Sequence, residues 1–549
     1  MRERVFGMEA EYALVVLGAG GELLPTEVAA DRLMRLARRS FPCLIDVSSR
    51  SGIFLVCGRL YVDRGIHPEF ATVEVNHPSE AVRGVLAGER LLCRLAEELE
   101  KSPTLSEVLI FKCNVDYSGA LSTWGCHESY LHTIDDPDLL RRQILPFLVS
   151  RVVLCGAGGF SPNSPGIEFS LSPRTEHLQR VSGESSTDNR PIYHTKDESL
   201  STGGYHRLHL LCGESLCSWI ATWWKVGATA LVVAMIEAGL TPGENVQIGL
   251  PLTAMRTFAR DPECRAVAKT DDGRRLTARQ IQQAYLETAE RHLHEPFMPV
   301  WAAEVCRVWR QLLDLLEGAP ESVAAVLDWA MKLALFKDRV RRQGGPEWAS
   351  LPLWNGVLRR VRGMLTREGY PGGPLTVEMI RQASTLVVDE VEQTRYLKRR
   401  GIGWDGLEPH LKLRAGLFEM DTRFGQLGPR GIFSQLDAAD VLMHRVHGVD
   451  RIDEAVDNPP EFGRARVRGK CIQELTARKE RYLCSWHYIL DTEQDQMLDL
   501  HDPFCSEQEW QPRCALTTDE IAMRVRRRVW RHADAAREMS DLARLLGGL

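Results

Sequence analysis

No pair of the 14 cysteines is spaced Cys-x-x-Cys. They are scattered through 549 residues, far too long a chain to be a disulfide-stapled domain. They therefore read mostly as buried apolar thiols. No stretch approaches the roughly 18 uninterrupted apolar residues of a membrane span, so no membrane is expected as a partner. The opening Met1–Gly7 runs straight into a strand pattern without an apolar signal core, so the cytoplasm is the expected location. Positive charge is not in surplus: 68 Lys and Arg stand against 74 Asp and Glu, a formal charge of −6. That balance gives no stripe for nucleic acid, and the Arg-rich run 524–531 reads as a solvated helix face. The common nucleotide signatures are missing too. There is no G-x-x-x-x-G-K-[ST] loop and no strand, G-x-G-x-x-G and helix in succession, and Gly156–Gly159 is too short to count. His127-Glu128-Ser129-Tyr130-Leu131-His132 has one residue too many for a zinc-binding helix. Neither an internal repeat nor a low-complexity tract is present.

The chain does have ample apolar material for a core, 44% of its residues, beside an ordinary 26% charged. Its length fits two to four domains, or one large domain with appendages. Val5–Val16 has the alternating character of a strand. Further strands are predicted at 58–63, 71–75, 108–115, 168–171 and 207–212, and helices at 26–39, 79–98 and 217–238. Within the last of these, Thr222–Ala228 reads as packing surface. Residues 277–342 are predicted helical, with Trp301, Trp309 and Trp329 in the core. Gly344-Gly345-Pro346 and Pro371-Gly372-Gly373-Pro374 punctuate a stretch, 344–406, read as an insertion with its own helices. A small C-terminal domain is expected over 464–549, after a catalytic domain of residues 1–463.

What stands out is a set of carboxylates on candidate strands. Glu9 and Glu11 are two apart, as are Arg59, Tyr61 and Asp63, and in a strand such residues share a face. Gly65 and Pro68 then turn the chain, and Glu69 and Glu74 follow. Charges on a buried face need partners or a metal, and carboxylate oxygens with phosphate oxygens are what Mg²⁺ prefers. The spacing fits both a Mg–phosphate site and a solvated amphipathic hairpin.

The stretches Phe6–Tyr12, Gly58–Asp63 and His67–Glu74 resemble those of the Pup ligase and depupylase family. So do Phe111–Asp116, Gly125–Leu131, Leu145–Arg151, Leu171–Arg174, His194–Glu198, Tyr205–His209, Asp328–Lys332, Asn458–Pro460, Arg464–Gly469 and Asp502–Phe504. The likeness covers most of the chain in order, apart from the insertion and the last forty or so residues. It implies an α+β, glutamine-synthetase-like fold: a curved antiparallel sheet that cradles ATP, flanked by helices, with a small C-terminal domain. Carried over residue by residue, it implies Glu9, Tyr61 and Glu69 as Mg²⁺ ligands, Arg59 and Thr72 as ATP contacts, Asp63 as catalytic base and Trp486 as the C-terminal tryptophan at the nucleotide. Glu11, Arg207 and His209 look like further metal or phosphate contacts.

The implied reaction joins the γ-carboxylate of the C-terminal glutamate of a Pup-like protein modifier to substrate lysines through a γ-glutamyl phosphate. Depupylases of the family carry a long extra loop between the first strand and the Arg-Leu-Tyr-x-Asp motif. Here the interval from Tyr12 to Arg59 is short and mostly one helix, which favours a ligase. A depupylase or deamidase remains the alternative, and a catalytically silent modifier-binding protein is the alternative of another class. The chain departs from the family at Cys113, where Asn is usual, and at Lys196, where Arg is usual, and Lys has no bidentate fork. Such changes bear on modifier recognition more than on the core chemistry.

Overall fold

The structure is a computed structural model. It describes residues 3–49, 51–120, 122–184, 189–194, 204–343, 347–367, 369–370, 375–385 and 392–512. The breakers 344–346 and 371–374, the motif 195–199, the Arg-rich run 524–531 and all of 513–549 lie outside the described residues.

Alternation of side chains builds the centre of the molecule. Phe6–Glu11 buries Phe6, Met8 and Ala10 and turns Gly7, Glu9 and Glu11 the other way. It pairs antiparallel with Pro68–Thr72 on one side and with Cys126–His132 on the other. Around this centre runs a sheet of thirteen strands among the described residues. Its order is Arg180–Gly183, Pro191–His194, His206–Leu210, Cys126–His132, Phe6–Glu11, Pro68–Thr72, Gly58–Val62, Ile53–Leu55, Cys43–Asp46, Tyr482–Cys484, Tyr488–Asp491, Gln496–Asp499 and Trp510–Pro512. Two neighbouring pairs are parallel rather than antiparallel: Arg180–Gly183 with Pro191–His194, and Tyr482–Cys484 with Cys43–Asp46. The second joins segments more than 400 residues apart, and a parallel pairing needs such a crossover. The C-terminal strands thus extend the same sheet.

The predicted helices form with small boundary shifts, as Thr26–Ser40, Pro78–Glu100 and Trp219–Glu237. Pro78 stands in the first turn of its helix, and the His77 side chain accepts from Ser79 N. These are the placements that helix starts favour. The strand expected at 71–75 begins earlier, at Pro68, because proline is tolerated as a strand's first residue.

Trp219–Glu237 is the helix expected at 217–238, and it is packing surface throughout. Among the described residues it is one helix long and apolar enough to cross a membrane, yet 89% of its apolar window is buried inside the protein. Lys225 sits within it, and its Nζ donates to Glu214 O at 3.1 Å. The helix is the spine of the main core, with Trp223, Trp224, Trp309 and Trp329 packed at no more than 1% exposure.

Two of the smaller cores bear on the division of the chain. Val357, Leu358, Val361, Leu365, Leu375, Ile380, Leu397, Leu407 and Leu411 form one of them, within and just beyond the bracketed stretch. The other joins Leu44, Phe54 and Val56 to Ile472, Tyr482, Cys484, Ile489 and Leu498 of the C-terminal segment. Every described cysteine is free, and most are buried.

Candidate active site

The polar face of the central strands is floored by rows of directly opposed residues. Tyr61, Glu69 and Glu11 stand opposite one another in one row. Arg59, Ala71, Glu9 and His127 form the next, and His209 stands opposite Ser129 beyond it. Such opposed side chains on one face lie within contact of each other. Burying three carboxylates together is costly unless something positive answers them.

Histidine supplies part of that answer. His127 Nδ1 lies 3.3 Å from Glu9 Oε1, and its Nε2 lies 4.0 Å from Glu11 Oε1. Glu11 Oε2 also accepts from Gly125 N at 3.0 Å. Burial works to raise the Glu9 carboxyl, but the hydrogen bond and charge of His127 hold it well below the usual carboxylate range. Glu11 is likewise lowered against its burial, by His67, His127 and Arg174. Glu69 goes the other way. Burial pushes it well above the carboxylate range, and the charges of Glu9 and Glu11 push it further. Its Oε1 is buried without a hydrogen-bond partner. Tyr61 is raised well above the phenol range by burial and by the charges of Glu69 and Glu9, so it stands there as a neutral hydroxyl.

Two chambers open on this face. The first, about 640 Å³, is lined by Met8, Phe54, Thr72, Glu74, Trp486 and Tyr488, with Arg464 at its side. Trp486 meets Phe54 edge-on at 5.1 Å, and the Arg468 guanidinium lies 4.9 Å from its ring. Arg468 donates to Trp486 O at 2.8 Å and pairs with Glu74, which Arg464 Nε also reaches at 2.6 Å. Burial tends to raise the Glu74 carboxyl, yet Arg468 and Arg464 hold it down at about 2. The Thr72 hydroxyl accepts from Met8 N at 3.1 Å and donates to Val73 O. The second chamber, about 690 Å³, is lined by Glu11, Asp63, His67, Glu69, Arg174 and Arg190, with His194 and His209 at its rim.

Glu9, Arg59, Tyr61 and Arg207 border both chambers. Arg59 is fixed by Asp46 at 2.6 Å and stacks its guanidinium 4.0 Å from the Tyr61 ring. Arg207 and Ser129 both contact His209 Nδ1, at 2.6 and 3.0 Å. Burial and the Arg207 charge keep His209 well below the histidine range, so it is a neutral imidazole available as a ligand.

Every residue singled out from the sequence lines one of the two chambers. Asp63 lies just beyond the strand Gly58–Val62, in the turn. The sequence reading missed His127, which it considered only as half of a zinc helix. The segment is a strand, so His127 faces the carboxylates while Glu128 points into the core and pairs with Arg151 at 2.7 Å. Period 2 from Ser129 would have revealed this. Arg174, 2% exposed, was also missed, and no local pattern marks it. Its Nη1 donates to Thr123 at 2.7 Å, and its Nε is buried without a partner beside the second chamber.

The profile of the family described as Pup-ligase protein matches residues 4–355 and 394–490. The Pup–protein ligase of Acidimicrobium ferrooxidans is 31% identical over 520 residues, covering 93% of this chain and 97% of the relative. A depupylase of Acidothermus cellulolyticus is 37% identical over 300 residues, covering 53% of this chain and 58% of the relative. Among solved structures, the Pup ligase PafA in complex with ADP aligns with a TM-score of 0.63 at 25% identity, covering 91% of this chain and 93% of that one.

Proposed function

The chain belongs to the Pup-ligase family, and we propose that it uses ATP to join the C-terminal glutamate of a Pup-like modifier to lysines of other proteins. The observation that carries this reading is the cluster of Glu9, Glu11 and Glu69, from two neighbouring rows of the sheet, set between a tryptophan-lined chamber and an Arg- and His-lined one. A carboxylate does not form an amide with an amine unaided. One of its oxygens attacks the γ-phosphorus of ATP, ADP leaves, and an acyl phosphate results. The lysine nitrogen then attacks the acyl carbon, phosphate leaves, and the amine's proton passes to a base. The adenosine end of ATP belongs in the Trp486 chamber, and the modifier's glutamate and the lysine belong in the other. Arg59 and Arg207 border both chambers, where the phosphates would pass, and Thr72 lines the first.

The donor set fits Mg²⁺. Glu69 Oε1 is buried and unpaired, Glu9 is ionised, and oxygen donors dominate, as Mg²⁺ requires. Glu9, Tyr61 and Glu69 would hold it, with Glu11 and His209 at the edge of the set. When bound, it would neutralise phosphate charge and orient the transferring group. Asp63 is the base. A lysine with a reference pKa near 10.4 arrives as an ammonium, and a carboxylate within hydrogen-bond reach can take its proton.

The ligase reading is preferred to a depupylase. The interval from Tyr12 to Arg59 holds the strand Ala13–Gly18, the helix Thr26–Ser40 and the strands Cys43–Asp46 and Ile53–Leu55, joined by short connections. That leaves no room for the long loop of the depupylase branch.

The proposed division of the chain places the catalytic domain at 1–463, an insertion at 344–406 and a C-terminal domain from 464. The separate core at Val357–Leu411 and the unmatched residues 356–393 support the insertion. The C-terminal segment from 464 shares both its core, with Leu44, Phe54 and Val56, and the sheet with the catalytic domain, so it is built onto that domain.

Incubation with Mg²⁺, ATP, a glutamate-ended Pup-like modifier and a lysine-bearing protein tests the activity. A ligase yields a modifier-sized mass shift and one ADP per conjugate. Release of modifier from a conjugate without net ATP consumption would assign a depupylase instead.

A further inference from the structure

One side chain in the acidic chamber has no task in the reaction as derived, and its surroundings are built with unusual care. Asp63 and His67 close a tight turn: Asp63 N donates to His67 O at 3.0 Å, and Ile66 N donates to Asp63 O at 3.3 Å. Ile66 takes a φ of 64°, a left-handed conformation that a β-branched residue rarely adopts. Such strain persists only where the surroundings impose it, and it gathers at functional sites. The result is that His67 meets Asp63 twice. Its backbone N–H donates to Asp63 Oδ1 at 2.6 Å, and its ring Nδ1 lies 3.3 Å from Asp63 Oδ2. The same Nδ1 lies 3.7 Å from Glu11 Oε2 and completes a hydrogen bond with neither. The ring is seated against Trp124 at 5.1 Å. Gly65 makes room for it, since a Cβ there would come within 2.8 Å of His67 Cε1.

We propose that His67 is a positioning residue for Asp63, holding the carboxylate in the orientation from which it takes the proton of the incoming lysine. The proposal rests on the reading of Asp63 as the base. A carboxylate in a turn at the lip of a chamber has freedom about two side-chain bonds, and a weak base helps only when it is within hydrogen-bond reach of the proton. The backbone N–H fixes one oxygen, and the imidazole Nδ1 faces the other at 3.3 Å, within ion-pair distance. Glu11, on the next strand but one, and Trp124 flank the imidazole. His67 therefore ties the base to the sheet face that carries the carboxylates, across the intervening strand Pro68–Thr72.

The test compares four variants of the full chain in the conjugation assay at saturating ATP: His67→Ala, His67→Asn, Asp63→Asn and the double variant Asp63→Asn with His67→Ala. His67→Ala should lower kcat by about 10- to 100-fold, the scale of a slightly misplaced reacting group, with KM for ATP unchanged. His67→Asn, whose amide nitrogen falls where Nδ1 stands, should recover most of the rate. The double variant should be no slower than Asp63→Asn alone, because His67 acts only through Asp63. Should alanine unfold the turn, His67→Phe keeps the ring on Trp124 while removing the donor, and the same comparison applies. A normal kcat in His67→Ala would overturn the proposal. So would a loss confined to KM for ATP, no recovery in His67→Asn, or a double variant slower than Asp63→Asn. A normal rate in Asp63→Asn would overturn the base assignment itself, and the proposal with it.

Discussion

The two chambers on the sheet face are nearly equal in volume and opposite in how they settle their charges. In the tryptophan chamber the buried acid is answered within the protein: Glu74 is held by both Arg464 and Arg468, and Arg468 in turn holds Trp486. In the acidic chamber three carboxylates face one another, Glu69 is driven well above its ordinary range by burial and by its neighbours' charges, and one of its oxygens has no partner. The first arrangement stabilises the fold and shapes a seat. The second destabilises the fold until something positive arrives. A protein tolerates such a cluster where binding or chemistry uses it.

Exchanging charge in each chamber should therefore have opposite effects. The largest is expected at Glu69. Glu69→Gln should abolish Mg–ATP binding in titration calorimetry while raising stability, because a carboxyl held well above its ordinary range by burial and by Glu9 and Glu11 costs the fold at neutral pH. A variant that binds normally would return the acidic chamber to the status of a solvated hairpin.

The tryptophan chamber supplies the next effect. Trp486→Ala should weaken ATP by about 1–3 kcal/mol, the scale of base stacking on an aromatic ring. The conjugation rate at saturating ATP should be unchanged.

Glu74 gives a pH signature. Its folded pKa of about 2 lies below an unfolded value near 4.3, so it contributes stability above pH 4.3 that is lost as pH falls toward 2. Glu74→Gln should cost up to about 3 kcal/mol at neutral pH. The gap to wild type should close on acidification, as read by denaturant unfolding at a series of pH values. A gap that does not change with pH would mean the pairing with Arg464 and Arg468 is not the cause.

The smallest effect is expected from the insertion. Replacing 344–406 by a short linker also removes Asn355, whose side chain bonds both Ile167 N and Ile167 O at 2.7 Å. It should leave ATP affinity unchanged, and unfolding of the remainder would contradict the proposed boundaries.

The contrast also explains what could be read from the sequence. The acidic chamber rests largely on local periodicity: Glu9 with Glu11, and Arg59 with Tyr61, declare a shared face by spacing alone, whereas Asp63, expected on the same strand face, lies just past the strand in the turn. His127 follows the same rule once its segment is taken as a strand, whereas a helix over the same residues puts it on no face with the carboxylates. The tryptophan chamber has no local signature. Glu74 meets Arg464 and Arg468 across 390 and 394 residues, and the parallel pairing of Tyr482–Cys484 with Cys43–Asp46 is equally distant in sequence. Only the family resemblance pointed to Trp486. Arg174 illustrates the same limit, since a guanidinium buried among residues from distant segments leaves no pattern around itself.

The account turns on the acidic chamber doing the chemistry while the other holds the nucleotide. Asp63→Asn tests that division most directly, with thermal stability, ATP affinity and single-turnover conjugation measured on one preparation. The account predicts a folded protein with normal ATP affinity that conjugates at least about 100-fold more slowly, the lower end of what a general base contributes. A near-normal conjugation rate, or a loss that follows ATP affinity, would contradict it.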